Sequence, residues 1–314
     1  MGPQCGLRMT ENLDAQASET VSTYWSDERK DFRNHNWLEH PVARQFFYQR
    51  ISGDQLIGTV DYWRRRFLPE SVPLALSLGC GFGLFERQCA ATGIAQHWEA
   101  CDISDGAVAQ ARIYAEEAGL GDRMTYSVKN LDNDDLPKAR YDAIFAISSV
   151  HHVRELESLF RRCREALKPG GIFFLDEYIG PSRFQCSPKA VQIINRLLRA
   201  LPSKYRRSVY GNGQAVEAYA NPTIKSFEEN DPSEAVRSAE ILPILRYYFD
   251  IVDFRPYGGS IMHMLLSGTA GNFDPDSESD VALIRTIAIL EETLEEAGIL
   301  QADFAAIVAR PQAA

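Results

Sequence analysis

Gly79, Gly81 and Gly83 alternate along Leu76-Ser77-Leu78-Gly79-Cys80-Gly81-Phe82-Gly83, Asp102 closes a later apolar run, and His151-His152 follow another. Glycine suits a strand that turns straight into a helix, because a Cβ would clash where φ goes positive or where the backbone lies against a ligand. A ligand at this turn is therefore held by main chain. An acid at the end of the next strand, Asp102 followed by Ile103, is placed to accept hydrogen bonds from both hydroxyls of a ribose. Capping a helix is the competing use of Asp102, although Ser104 or Asp105 could cap the run that follows equally well. His151 and His152 are candidate general bases, His152 preferred, since imidazole titrates nearest neutral pH. Two nucleotide motifs are excluded. Leu84 stands where G-x-G-x-x-G needs its last glycine, and no Gly-Lys-Ser/Thr ends the loop.

These residues need strands to position them, and the chain supplies candidates in order. Val72 to Ala75 leads into the glycine loop, Gln96 to Cys101 into Asp102, and Met124 to Lys129 into the turn Asn130-Leu131-Asp132. Tyr141 to Ile147 runs into Ser148-Ser149-Val150-His151-His152, and Leu167-Lys168-Pro169-Gly170-Gly171 stops a helix before the strand Ile172 to Asp176. Gly106 to Ala118 reads as a helix between the second and third strands. Ligands in open α/β sheets sit outside the carboxyl ends of the strands, so Ser148 to His152 should face the ligand.

This ordered set of segments resembles the class I S-adenosylmethionine-dependent methyltransferases, whose first motif is G-x-G-x-G. The resemblance covers about residues 70 to 180. It implies an α/β fold with a doubly wound, seven-stranded, mostly parallel sheet and S-adenosyl-L-methionine as cofactor. It also implies cofactor contacts from Gly79, Gly81, Gly83, Asp102, Ile103, Asn130, Leu131 and Ser148. Asn130 and Leu131 would meet the adenine, although an Asx-rich turn explains the same residues. Ser77 departs from the pattern, since the family usually carries an acid two residues before the first glycine.

The rest of the chain frames this domain. An aromatic-rich segment, residues 19 to 70 after a disordered start of about eighteen residues, reads as a helical lid. Most of its aromatics would pack on the sheet edge, while Tyr24 and Trp25 are assigned to the cofactor cleft, where aromatic faces attract a sulfonium. An insertion, residues 180 to 248, is long for a connection between the fifth and sixth strands and reads as a substrate cap. At its start Glu177, Tyr178 and Arg183 are placed to touch an acceptor, Tyr178 as a further catalytic candidate, with a Glu177–Arg183 ion pair as the alternative. Asp231-Pro232-Ser233-Glu234 reads as a capped helix start. The sheet would be completed by Phe249 to Phe254 and Ser260 to Leu266, with Asp280 to Ala297 as a last helix.

Composition narrows the partners. A formal net charge of −10 over 314 residues argues against a nucleic-acid substrate, because such binding releases counterions to a basic surface. The six cysteines show no metal-ligand spacing, so no metal is expected, and they read as reduced thiols of a cytoplasmic protein. No apolar run approaches membrane-spanning length. The leading expectation is methyl transfer to an oxygen or nitrogen of a small molecule. Two rivals keep the fold: a cyclase that converts S-adenosylmethionine to azetidine-2-carboxylate and methylthioadenosine, and a non-catalytic cofactor-binding subunit. Oligomeric state stays open.

Overall fold

Several of the apolar runs are apolar at successive rather than alternate positions, the pattern of strands covered on both faces. In the computed structural model, which describes residues 20–23, 36–211 and 213–312, they form one seven-stranded sheet. The strands are β1 (Val72–Leu78), β2 (Ala95–Asp102), β3 (Met124–Val128), β4 (Tyr141–Ile147), β5 (Leu167–Tyr178), β6 (Phe249–Gly258) and β7 (Phe304–Pro311). Their order across the sheet is β3-β2-β1-β4-β5-β7-β6. β1 to β5 pair in parallel, and β7 runs antiparallel to both β5 and β6. The disordered start and the assignments to Tyr24 and Trp25 lie outside the described residues.

Helices cover both faces. They are α1 (Pro41–Ser52), α2 (Thr59–Phe67), α3 (Leu84–Thr92), α4 (Asp105–Glu117), α5 (Leu156–Ala166), α6 (Pro188–Ala200), α7 (Ile224–Asn230), α8 (Ile241–Tyr248), α9 (Met262–Leu265) and α10 (Glu278–Glu296). Successive side chains of a strand point to opposite faces, and the core divides accordingly. Phe145 and Phe174 lie on one face with Trp63 and Trp98, while Ile144, Phe173 and Leu175 lie on the other with Phe160 and Phe249. Phe145 stacks on Phe174 at 4.8 Å, and Trp63 of α2 adds a third ring 5.1 Å from Phe174. Truncating Trp63 to Ala would cost about 3–5 kcal/mol. The expected lid helices therefore contribute Trp37, Phe47 and Trp63 to the core.

Two boundaries differ from the expectation. Ser260 to Leu266 is no strand: it holds α9, a single turn, because Glu291 of α10 accepts the N–H groups of Gly259, Ile261 and Met262 and leaves no ladder for them. The last strand is β7, whose Phe304-Ala305-Ala306-Ile307-Val308-Ala309 is buried throughout. Its alanines, weak strand formers, concealed it in the sequence. The sheet order reverses between β1 and β4, the kind of switch point at which open α/β sheets bind ligands in the crevice outside the carboxyl ends of their strands.

Candidate active site

The glycine loop leaves β1 and enters α3. Gly79, Gly81 and Gly83 all have positive φ, at +68°, +50° and +71°. A Cβ on Gly79 would lie 2.4 Å from the Ser149 Cβ, and one on Gly83 would lie 2.6 Å from the Tyr126 hydroxyl, whereas the place of a Cβ on Gly81 is open. The outer glycines thus allow close packing, and the middle one faces space that a ligand can enter.

Asp102 at the end of β2 pins this loop. One carboxylate oxygen accepts from Gly81 N–H at 2.8 Å and the other from Ser104 N–H at 2.9 Å. Ser104 caps α4 through Ala107 N–H, so Asp102 is not the cap. Burial lifts the Asp102 carboxyl above its ordinary range, against the pull of those backbone donors. Ile103 follows it, half-buried, into the same turn. Beneath the loop lies a residue the sequence did not flag. Glu86 of α3 is fully buried, and neither of its oxygens has a hydrogen-bond partner. Burial pushes it up to about 7; the Ser77 hydroxyl nearby favours its charge but closes no hydrogen bond with it.

At the end of β3, Asn130 Oδ1 accepts from Asp132 N–H at 2.9 Å, the Asx turn that these residues make on their own account. Buried Arg162 donates to the carbonyls of Leu131 and Asp134, tying the turn to α5. At the end of β4, Ser148 is exposed with φ +49° and donates its N–H to the Asp176 carbonyl at 2.8 Å. Non-glycine residues hold such a conformation only where the surroundings over-determine it.

Glu177 of β5 provides those surroundings. Its Oε1 accepts from Ser149 and Val150 N–H, both at 2.6 Å, and its Oε2 lies 2.8 Å from Nδ1 of His151. A carboxylate only accepts, so His151 donates through Nδ1 and leaves Nε2 on the side of Glu234, whose Oε1 is 3.6 Å away. Burial opposes charge on His151, but the carboxylates of Glu177, foremost, and of Glu234 and Asp231 together outweigh it and raise the histidine above its ordinary value. His152, ring to ring at 4.2 Å, is held differently. Ser233 Oγ donates to Asp231 Oδ1 at 2.6 Å and sits 2.9 Å from Nδ1 of His152, so His152 also donates through Nδ1. Burial, then His151 and Arg183, push His152 well below its usual value.

Several expectations are corrected here. Asp231-Pro232-Ser233-Glu234 starts no helix. It is a turn that brings Glu234 Oε1 to 3.6 Å from Nε2 of His151 and Oε2 to 4.0 Å from Nε2 of His152. Arg183 does not pair with Glu177; it donates to the Glu234 and Pro232 carbonyls at 2.8 and 2.7 Å and clamps that turn. Tyr178 is buried, donates to the Pro181 carbonyl at 2.9 Å, and is raised by burial, so it anchors the start of the insertion instead of taking a proton. Of the two histidines, His151 has a carboxylate hydrogen-bonded at Nδ1, whereas His152 has the Ser233 hydroxyl there, with Asp231 behind it. The sequence hid Asp231, Ser233 and Glu234 because a Pro-Ser-Glu turn carries no marker of its distant partners.

Residues 76–173 match the family described as a methyltransferase domain. The chain is 34% identical over 176 residues to the sterol 24-C-methyltransferase ERG6B of Gibberella zeae, covering 54% of this chain and 46% of that one. It is 29% identical to the ubiquinone biosynthesis O-methyltransferase of Marinobacter nauticus, covering 36% and 48%. It thus spans less than half of either relative. A solved S-adenosylmethionine-dependent methyltransferase from Mesorhizobium loti is 22% identical, with a TM-score of 0.47, over 81% of this chain and 98% of that one.

Proposed function

With residues 76–173 of this chain belonging to the methyltransferase domain family, we propose that the protein transfers a methyl group from S-adenosylmethionine to a small-molecule acceptor. The observation that carries this reading is the open cradle at Gly81, pinned by Asp102 and packed through Gly79 against Ser149 at the head of the histidine segment. A nucleoside and a reacting group can thereby share one crevice. Each Asp102 oxygen accepts one backbone N–H and keeps lone-pair capacity for a ribose hydroxyl. Backbone of Gly79 to Gly83 would border the methionine end, and the Asn130-Leu131 turn the adenine. Relatives named as a sterol 24-C-methyltransferase and a ubiquinone biosynthesis O-methyltransferase support a small-molecule acceptor.

S-adenosylmethionine supplies an electrophilic methyl on a sulfonium with an excellent leaving group, so the protein mainly orients and excludes water. His151, held by Glu177, and His152, held by Ser233, face the acceptor. The turn around Glu234, clamped by Arg183, closes that end. Free thiols at Cys80, Cys89, Cys101, Cys163 and Cys186 support a reducing, cytoplasmic location. Among the described residues no helix is long and apolar enough to cross a membrane.

The test is mass analysis of products after incubating the pure protein with S-adenosylmethionine, first alone and then with a panel of small hydroxylated and aminated acceptors. Transfer predicts bound, intact cofactor alone and S-adenosylhomocysteine with an acceptor. Methylthioadenosine formed without any acceptor would replace transfer by cyclisation.

A further inference from the structure

One cluster exceeds what methyl transfer by a simple base needs. Among the described residues, His151, His152 and Glu234 offer ligand atoms that all lie within 4.8 Å of one another. Donors around a tetrahedral zinc at about 2.0–2.1 Å stand about 3.4 Å apart, so the Glu234 oxygens, 3.6 and 4.0 Å from the two Nε2 atoms, need only a small closure. Both imidazoles are held from behind. Glu177 takes Nδ1 of His151, and Ser233, itself bonded to Asp231, takes Nδ1 of His152. Acceptors at Nδ1 fix the tautomer whose Nε2 lone pair a metal uses, and they orient the ring. Arg183 fixes the backbone that carries Glu234.

We infer that His151, His152 and Glu234 bind a divalent transition-metal ion through two imidazole nitrogens and a carboxylate, and that its open position takes the oxygen of the methyl acceptor. The acceptor role, though not the metal binding, rests on the transfer reading. Imidazole with carboxylate suits zinc, iron and cobalt over magnesium or calcium, and three protein ligands leave room for substrate. An acceptor hydroxyl bound there loses its proton to solvent. Its oxygen then bonds to the methyl carbon as the carbon–sulfur bond breaks, giving the methyl ether and S-adenosylhomocysteine. An amine acceptor is disfavoured, because binding to the metal occupies the lone pair it needs for attack.

The experiment titrates chelator-treated, full-chain protein with Co2+, followed by visible absorption, and with Zn2+ by calorimetry, while S-adenosylmethionine affinity is measured on each variant. A single equivalent is expected to bind the unaltered protein, with the intense visible bands of low-coordinate cobalt. His151→Ala, His152→Ala and Glu234→Gln should each lower the affinity at least tenfold, and Ser233→Ala by about 10- to 100-fold, all with unchanged cofactor affinity as proof of folding. Asp102→Ala should lose cofactor and keep metal. Absence of metal binding in protein that binds cofactor normally, or full metal binding in the combined His151→Ala, His152→Ala variant, overturns the site. Normal metal binding with no cofactor binding would instead sink the transfer reading and leave the site standing.

Discussion

The two ends of the crevice are built on opposite plans. At the β1, β2 and β3 end, the groups we assign to the cofactor are mostly main chain, pinned by one carboxylate from the neighbouring strand, Asp102 of β2 on Gly81, or by their own turn, as at Asn130. At the β4 and β5 end, polar side chains from three separated segments converge: His151 and His152, Glu177, and Asp231 to Glu234. Backbone recognition tolerates change around it but not in its φ angles. Side-chain recognition depends on a clamp that sequence neighbours do not supply.

The largest effect should come from breaking the first plan at its tightest point. Gly79→Ala places a methyl 2.4 Å from the Ser149 Cβ at φ +68°, so strain and overpacking together should remove about 3 kcal/mol of stability. Urea unfolding measures it, and a loss below about 1 kcal/mol would mean that the loop shifts freely. Next, Asp102→Ala removes the pin of the loop and the expected ribose acceptor, and should weaken S-adenosylmethionine binding by about 10- to 100-fold in calorimetry. His152→Ala should leave that affinity within about threefold, because it belongs to the other end. Equal losses in the two variants would dissolve the distinction between the ends.

This contrast also explains what could be read in advance. Gly79 to Gly83, Asp102 and the strands β1 to β4 were legible because glycine spacing and short apolar runs are local signals. β7 was not, since an alanine-rich run is legible as a strand only once β5 and β6 flank it. Glu177 was placed near the acceptor, but its bonds to Ser149, Val150 and His151 depend on the β4–β5 register. Glu234 was concealed further, because nothing within Asp231-Pro232-Ser233-Glu234 says that it folds back over His151. Glu86 looked like any acid in a first helical turn, and only burial distinguishes it.

Glu86 sharpens the comparison through pH. Its folded value, about 7, lies above the ordinary carboxylate value, so between these values the folded state holds a proton that the unfolded chain releases. Stability from this group is complete below about pH 4.5 and is lost as pH rises through about 7. Glu86→Gln cannot ionise. It should match the unaltered protein at pH 4.5 and exceed it by about 3 kcal/mol at pH 8, read from denaturant midpoints. An equal difference at both pH values would mean that Glu86 is ionised in the fold and that burial does not govern its charge.

The smallest effect tests the clamp of the second plan. Arg183 sits at φ +56° and spans two carbonyls, Glu234 and Pro232, with its guanidinium 5.3 Å over the Phe227 ring. A lysine keeps the charge but has no planar fork to hold both carbonyls at once. Arg183→Lys should therefore cost about 1 kcal/mol of stability and let the Glu234 turn drift from the histidines. Because that turn lies beside His151 and His152, the end proposed for the acceptor, the variant should turn over acceptor more slowly while its S-adenosylmethionine affinity stays unchanged. A drop in cofactor affinity equal to the drop in turnover would show that the two ends move as one body, and that the separation between main-chain and side-chain recognition holds only in the resting structure.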